Sequence, residues 1–299
     1  MPQETINKLL EHIDTSVGKF VSSLPAIQRK TFDKVLLLVK DLELDALGNI
    51  KNNIANIRLI GKIKKQLGDV ILSTPYLKNV SEFVTIFDKV QEVNNSYLSS
   101  VFNDFKPRKV LEEIKKVNIS ATVESLTEAG VGNGMTSQIT NVLRANITSG
   151  GSYADLIDVL KGQIVGTTEK AGYMVSESQK IVIDAVHQYN AQYIKSVTDD
   201  LGLVWFQYIG SLIKTSRDFC KALTSKRYFH ISEVPDLLRG QIDGVKVALN
   251  KNGLPNGMYD NENKDNFFVY RGGHKCGHQI YPVATVSVPA SVRAKFVEV

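Results

Sequence analysis

Apolar residues recur three or four positions apart through the first two-thirds of the chain. Ile6, Leu9, Leu10, Ile13, Val17 and Phe20 form one such stripe, with charged and polar residues between them, as on one face of an α-helix. The spacing predicts a second helix over residues 26–47, with Gly48 as its stop, and a third over residues 50–72 through Ile54, Ile57, Ile60, Ile63, Leu67 and Val70. Pro75 then breaks the run. Phe83, Ile86, Phe87, Val90, Val93, Tyr97 and Val101 mark a further helix that ends before Pro107. Shorter helices are expected over residues 111–117 and 136–147. Ser152 and Asp155 have capping-box spacing, with Asp in place of the usual Glu, ahead of Leu156, Ile157, Leu160 and Ile164. A long helix follows over residues 168–197, with Val182, Val186, Tyr189, Tyr193 and Ile194 on one side.

The pattern changes near Asp199. Aromatic and β-branched residues now cluster in short runs, 204–209, 267–270 and 280–288, separated by the turn-rich segments 250–257 and 260–266. The fold class expected is mainly α with a small C-terminal α+β domain. Residues 1–199 read as a helical bundle or an extended helical arm, 200–288 as a compact mixed domain, and 289–299 as a tail.

Composition narrows this picture in a few places. A hydrophobic content of 43% with 22% charged residues excludes wholesale disorder. The longest apolar run, Val35 to Val39, lies between Lys34 and Lys40. That falls far short of the roughly 20 residues a transmembrane helix needs, so no membrane span is expected. The N-terminus lacks the basic segment followed by an apolar stretch that marks a secretory signal, which points to synthesis in a cytoplasm. The net charge of +5 permits contact with DNA without indicating it. Two cysteines, Cys220 and Cys276, are too few for a disulfide framework, and in a reducing compartment read as free thiols or metal ligands.

Gly130-Val131-Gly132-Asn133-Gly134 lacks the Lys-Ser/Thr ending of a phosphate-binding loop and has no strand before it. It reads as a flexible connection between helices. The sharper constellation pairs Cys220 with Gly272-Gly273-His274-Lys275-Cys276-Gly277-His278. Zinc takes thiolate and imidazole ligands in a tetrahedron. Cys220, Cys276 and His278 can supply three of them, with His274 or His230 as the fourth, in a structural site. In a strand, His274, Cys276 and His278 would share one face. The plain alternative is a packed turn with buried thiols. An enzymatic alternative uses a Cys–His nucleophilic pair with Asp218 orienting the histidine, or a metal at the same residues, to hydrolyse cell wall or nucleic acid. Gly272 and Gly273 suggest a tight turn with positive φ. Arg217 and Arg271 can pair with acidic neighbours or bind phosphate, with surface pairing the default, and Trp205 and Tyr208 read as core.

The order of the C-terminal features carries a resemblance. A long helix leads to Trp205-Phe206-Gln207-Tyr208-Ile209-Gly210, then to Thr215-Ser216-Arg217-Asp218-Phe219-Cys220-Lys221-Ala222-Leu223, then to Tyr228-Phe229 and Ile231-Ser232-Glu233-Val234. Gly272 to His278 and Tyr281-Pro282-Val283 close the series. This resembles the C-terminal domain of phage minor head proteins, the phage Mu protein F-like or head-morphogenesis family, over roughly the last 130 residues. Cys220, Cys276, His278 and Pro282 fit the family's cysteine, Cys-x-Cys or Cys-x-His, and proline positions. Gly277 stands where arginine is common, and His278 where many members have a second cysteine. The resemblance implies a low-copy virion protein at the head interior or portal vertex, oligomeric there, with the portal protein, the major capsid protein and packaged DNA as partners. It implies a role in head assembly, DNA packaging or DNA delivery by binding, with no catalytic residue.

Overall fold

The computed structural model describes residues 2–273 and 276–296. Helices come first: α1 (Pro2–Val39), α2 (Ile54–Ile71), α3 (Thr74–Phe83), α4 (Ile86–Val101), α5 (Lys109–Leu126), a π-helical turn (Glu128–Gly132), α6 (Asn133–Ser149), α7 (Tyr153–Ile164) and α8 (Tyr173–Leu201). Short elements follow: β1 (Trp205–Ile209), α9 (Asp218–Lys226), β2 (Tyr228–His230), α10 (Val234–Leu238), β3 (Gln241–Ile242), β4 (Val245–Lys246), α11 (Phe267–Tyr270), β5 (Gln279–Pro282) and α12 (Ala290–Arg293). The chain is therefore mainly α with a small mixed region near its C-terminus, as the apolar spacing predicts.

Several expectations give way locally, each for a physical reason. The first two expected helices are one, because α1 runs straight through Pro25. Proline removes one backbone bond there, but Phe20, Leu24, Ile27 and Val35 are buried on either side and hold the helix together. The helix stops at Val39 rather than near Leu47 because the Asp45 carboxylate accepts from the backbone N–H groups of Leu47 (2.9 Å) and Asn49 (2.8 Å), building a turn that competes with helix. Pro75 does end one run, and it opens the next in the first turn of α3, where its missing N–H costs nothing. Residues 267–270 form a single helical turn instead of a strand. The Asn266 side chain accepts from the Asn263 N–H at 2.7 Å just before it, and Phe267 is driven into the core. Of the expected strand 280–288 only Gln279–Pro282 pairs, and Thr285–Ser287 is a 3-10 turn. The glycine cluster is no loose connection. It completes the π-helical turn and enters α6, and a Cβ on Gly130 would stand 1.8 Å from the Ser125 carbonyl oxygen.

The chain divides into two compact units. One gathers Thr15–Thr85 and Ile119–Val182. In it Ile60, Ile63, Leu67 and Ile71 of α2 are buried, as are Met135, Ile139, Leu143 and Ile147 of α6, and the two helices pack together. Buried Tyr76 donates its hydroxyl to the Leu126 carbonyl at 2.7 Å, closing the C-terminal end of α5. Ser152 caps α7 by accepting from the N–H groups of Ala154 and Asp155.

The other unit gathers the chain up to Asp14, Ile86–Asn118 and Ile183–Val299, so residues 200–288 share it with helical segments from earlier in the chain. Its three-stranded antiparallel sheet has the order β2-β1-β5, with Phe206 opposite Phe229 on one side and opposite Pro282 on the other. Side chains alternate along β1. Phe206 and Tyr208 join a core of Phe219, Cys220, Leu223, Phe229, Phe267, Cys276 and Ile280. Trp205 packs instead with Val283, Val288 and Phe296.

Side-chain amides join α4, α8 and β5. Asn190 accepts from the Asn94 amide at 2.8 Å and from the Tyr281 hydroxyl at 3.1 Å, and donates to Gln279 at 2.6 Å. Gln279 lies 2.7 Å from His187 Nδ1, and burial pushes that imidazole down to about 3, so it stays neutral. Replacing Asn190 with leucine strips partners from Asn94 and Gln279 inside the core. A loss of about 3 kcal/mol is expected, read as a lower urea midpoint, since each orphaned buried group costs roughly 1–3 kcal/mol. A midpoint unchanged within error would mean that the network contributes nothing.

Candidate metal centre

Cys220 enters the site from the first turn of α9. That helix begins at Asp218 and buries Phe219, Cys220 and Leu223 toward the sheet. Cys276 and His278 come from the segment between α11 and β5. Its turn is set by three successive positive φ angles, at Arg271 (56°), Gly272 (111°) and Gly273 (98°). Glycine is required at Gly273, where a Cβ would stand 1.9 Å from the Gly257 carbonyl oxygen. The positive φ expected of Gly272 and Gly273 is therefore present. Cys276 and His278 are not in a strand, so the face they would share there does not form, and the Cys276 N–H donates to the Gly273 carbonyl at 3.2 Å.

The three donors converge all the same. Ligand atoms of Cys220, Cys276 and His278 lie within 4.8 Å of one another, and all three residues are buried. The Cys276 sulfur is 3.8 Å from His278 Nδ1. The second ring nitrogen, Nε2, is buried without a hydrogen-bond partner, an unsatisfied polar atom of the kind a metal or a bound group relieves. Two thiols and an imidazole suit zinc, so the residues present fit such an ion. His274 lies outside the described residues. His230 is elsewhere: it caps the 3-10 turn at Ile231–Glu233, and its ring packs edge-on to Trp205. Asp218 is exposed and pairs with Lys221 at 3.0 Å.

Two residues read from sequence as core or surface frame the site. Tyr208 is in the core as expected, and its hydroxyl reaches the site: it donates to the Arg271 carbonyl at 2.8 Å and lies 3.5 Å from the Cys220 sulfur and 3.4 Å from the Cys276 sulfur. Its ring stacks on His278, with centroids 5.0 Å apart and planes 7° from parallel. Arg271 is not a surface residue. It is 2% exposed and donates to the carbonyls of His278 (3.0 Å), His187 (2.9 Å), Cys276 (3.2 Å) and Val269, clamping the Cys276–His278 segment onto α8. Arg217 likewise binds a main-chain carbonyl, that of Gly272, at 2.6 Å. The double glycine after Arg271 was the only sequence sign that this arginine turns inward.

The electrostatics separate the two sulfurs. The Cys220 thiol donates toward Cys276, which together with His278 and the Arg271 charge holds Cys276 well below the usual thiol range. The same bond and burial push Cys220 up. Burial also pushes the Tyr208 hydroxyl up, so it keeps its proton. Within the pair, Cys220 is the side that holds the proton and Cys276 the side that favours the thiolate.

Glu262 lies one layer out. Its carboxylate accepts from the N–H groups of Tyr259 (3.3 Å) and Gly272 (3.4 Å), yet burial dominates and raises it to about 7. A carboxyl raised on folding favours the folded state only while protonated. Its contribution is full below about 4.5 and is lost as pH rises through about 7, some 3 kcal/mol in all. The native protein is therefore expected to lose stability relative to Glu262→Gln as pH rises from about 4.5 to about 7. Parallel melting curves of both proteins check this, and equal slopes against pH would refute it.

Compared with family models, with curated proteins and with solved structures, the chain matches none of them. Among the described residues no helix is long and apolar enough to cross a membrane.

Proposed function

We propose that the chain is a structural minor head protein of a tailed bacteriophage, acting by binding rather than catalysis, with a structural zinc in its C-terminal region. Cys220, Cys276 and His278 hold the ion. The observation that carries the non-catalytic reading is the burial of all three donors: none is more than 6% exposed. A catalytic zinc keeps a coordination position open to water and substrate, whereas a structural one is closed. The hydrolase alternative would also need an accessible activated thiol, and the lowered thiol of this pair, Cys276, is only 4% exposed. The phage assignment is supported by the order of motifs from Trp205 to Val283, including the proline of β5 after the Cys-x-His element.

In this reading the zinc ties α9 to the segment entering β5, so it fixes a surface instead of performing chemistry. The partners are the portal protein and the major capsid protein, with packaged DNA tolerated by the net charge of +5. The protein is made in the host cytoplasm and resides in the virion. Light scattering of the purified chain, alone and mixed with the portal protein of its phage, tests the proposal. A defined complex is expected. A chain that stays monomeric and ignores the portal protein would contradict it.

A further inference from the structure

We infer that Tyr208 supplies the fourth ligand of the metal centre through its hydroxyl oxygen, an inference that rests on the zinc reading above. Bonds of about 2.3 Å to sulfur and about 2.0 Å to oxygen, at a tetrahedral angle, place sulfur and oxygen about 3.5 Å apart. The Tyr208 oxygen stands 3.5 Å from the Cys220 sulfur and 3.4 Å from the Cys276 sulfur. Both contacts match the edges of one coordination tetrahedron.

An ordinary O–H···S bond has a similar length, but the hydroxyl carries a single proton. The Arg271 carbonyl, at 2.8 Å, is the shortest of its contacts. The Cys220 sulfur at 3.5 Å is open to the same proton, and a metal between the two sulfurs would leave that proton with Arg271 and turn an oxygen lone pair to the ion. Stacking on His278 holds the tyrosine ring in place, and β1 fixes its backbone by pairing Tyr208 with Ile280. The site is then closed by residues from three elements: Tyr208 from β1, Cys220 from α9, and Cys276 with His278 from the segment entering β5. No position remains for water, as expected of a structural centre.

Cobalt(II) substituted into the full chain reports coordination directly, since tetrahedral thiolate sites give intense visible bands. Native protein is expected to show them. Tyr208→Phe removes one oxygen and keeps the ring, and should shift or weaken the bands and lower cobalt and zinc affinity at least ~10-fold. His274→Ala should leave both unchanged. A second measurement needs no variant: adding zinc to metal-free native protein should perturb a tyrosine band in the near ultraviolet. An unaltered cobalt spectrum in Tyr208→Phe overturns the inference and leaves the zinc reading standing, even if affinity falls, because the tyrosine is then an outer hydrogen bond. A silent tyrosine band overturns it too, as does a spectrum that changes only in His274→Ala. Failure of the native chain to bind either metal removes the zinc reading and this inference together.

Discussion

Replacing Arg271 with methionine is expected to destabilise the protein by about 3–5 kcal/mol, among the largest effects of any single substitution outside the metal ligands. The guanidinium is buried and its donors reach the carbonyls of His278, His187, Cys276 and Val269. Methionine fills much of the volume but leaves those carbonyls short of donors in a core where no water replaces them. The Cys276–His278 segment loses its anchor to α8, so the metal site should loosen as well. Arg271→Lys should recover little, because one ammonium lacks the planar fork that reaches several acceptors at once. Urea denaturation of the three proteins gives the comparison. A methionine variant within about 1 kcal/mol of native would show that the clamp is decorative, since surface substitutions fall within that range.

The second large effect is loss of the metal. A structural zinc contributes roughly 10–16 kcal/mol of binding energy in small zinc peptides, which have little else to hold them. Here Phe206, Phe219, Phe229 and Phe267 already form a core beside the site, so a smaller share of stability depends on the ion. Treating the native protein with a strong chelator is expected to lower its melting temperature by about 10 °C or more. Cys276→Ser should melt near the chelated native protein, and adding chelator to that variant should change nothing further. Additive losses from the two treatments would mean that the chelator acts elsewhere and that Cys276 is only a core thiol.

The sequence made some of this legible and not the rest, for reasons visible in particular residues. The stripes of α2, α4 and α8 could be read because their apolar faces are long and regularly spaced. The merging of α1 across Pro25 could not, since the burial that outweighs a proline is a property of the folded unit. Phe267–Tyr270 has a strand-like composition, yet asparagine bonds local to residues 263–266 start a helical turn. The cluster of Cys220, Cys276 and His278 was legible because thiols and imidazoles are rare in this chain. The fourth candidate, Tyr208, was hidden because tyrosine in a strand reads as core and says nothing of where its hydroxyl points. Arg271 was hidden because an arginine is expected at the surface, and only the turn through Gly272 and Gly273 brings it inward.

Elemental analysis of the purified full chain after exhaustive dialysis tests the central claim most directly. One zinc per chain is expected in the native protein, and none in the double variant Cys220→Ser, Cys276→Ser. A native protein that is folded and carries no zinc, and takes none up when it is offered, would contradict the account and return Cys220, Cys276 and His278 to the core as buried side chains.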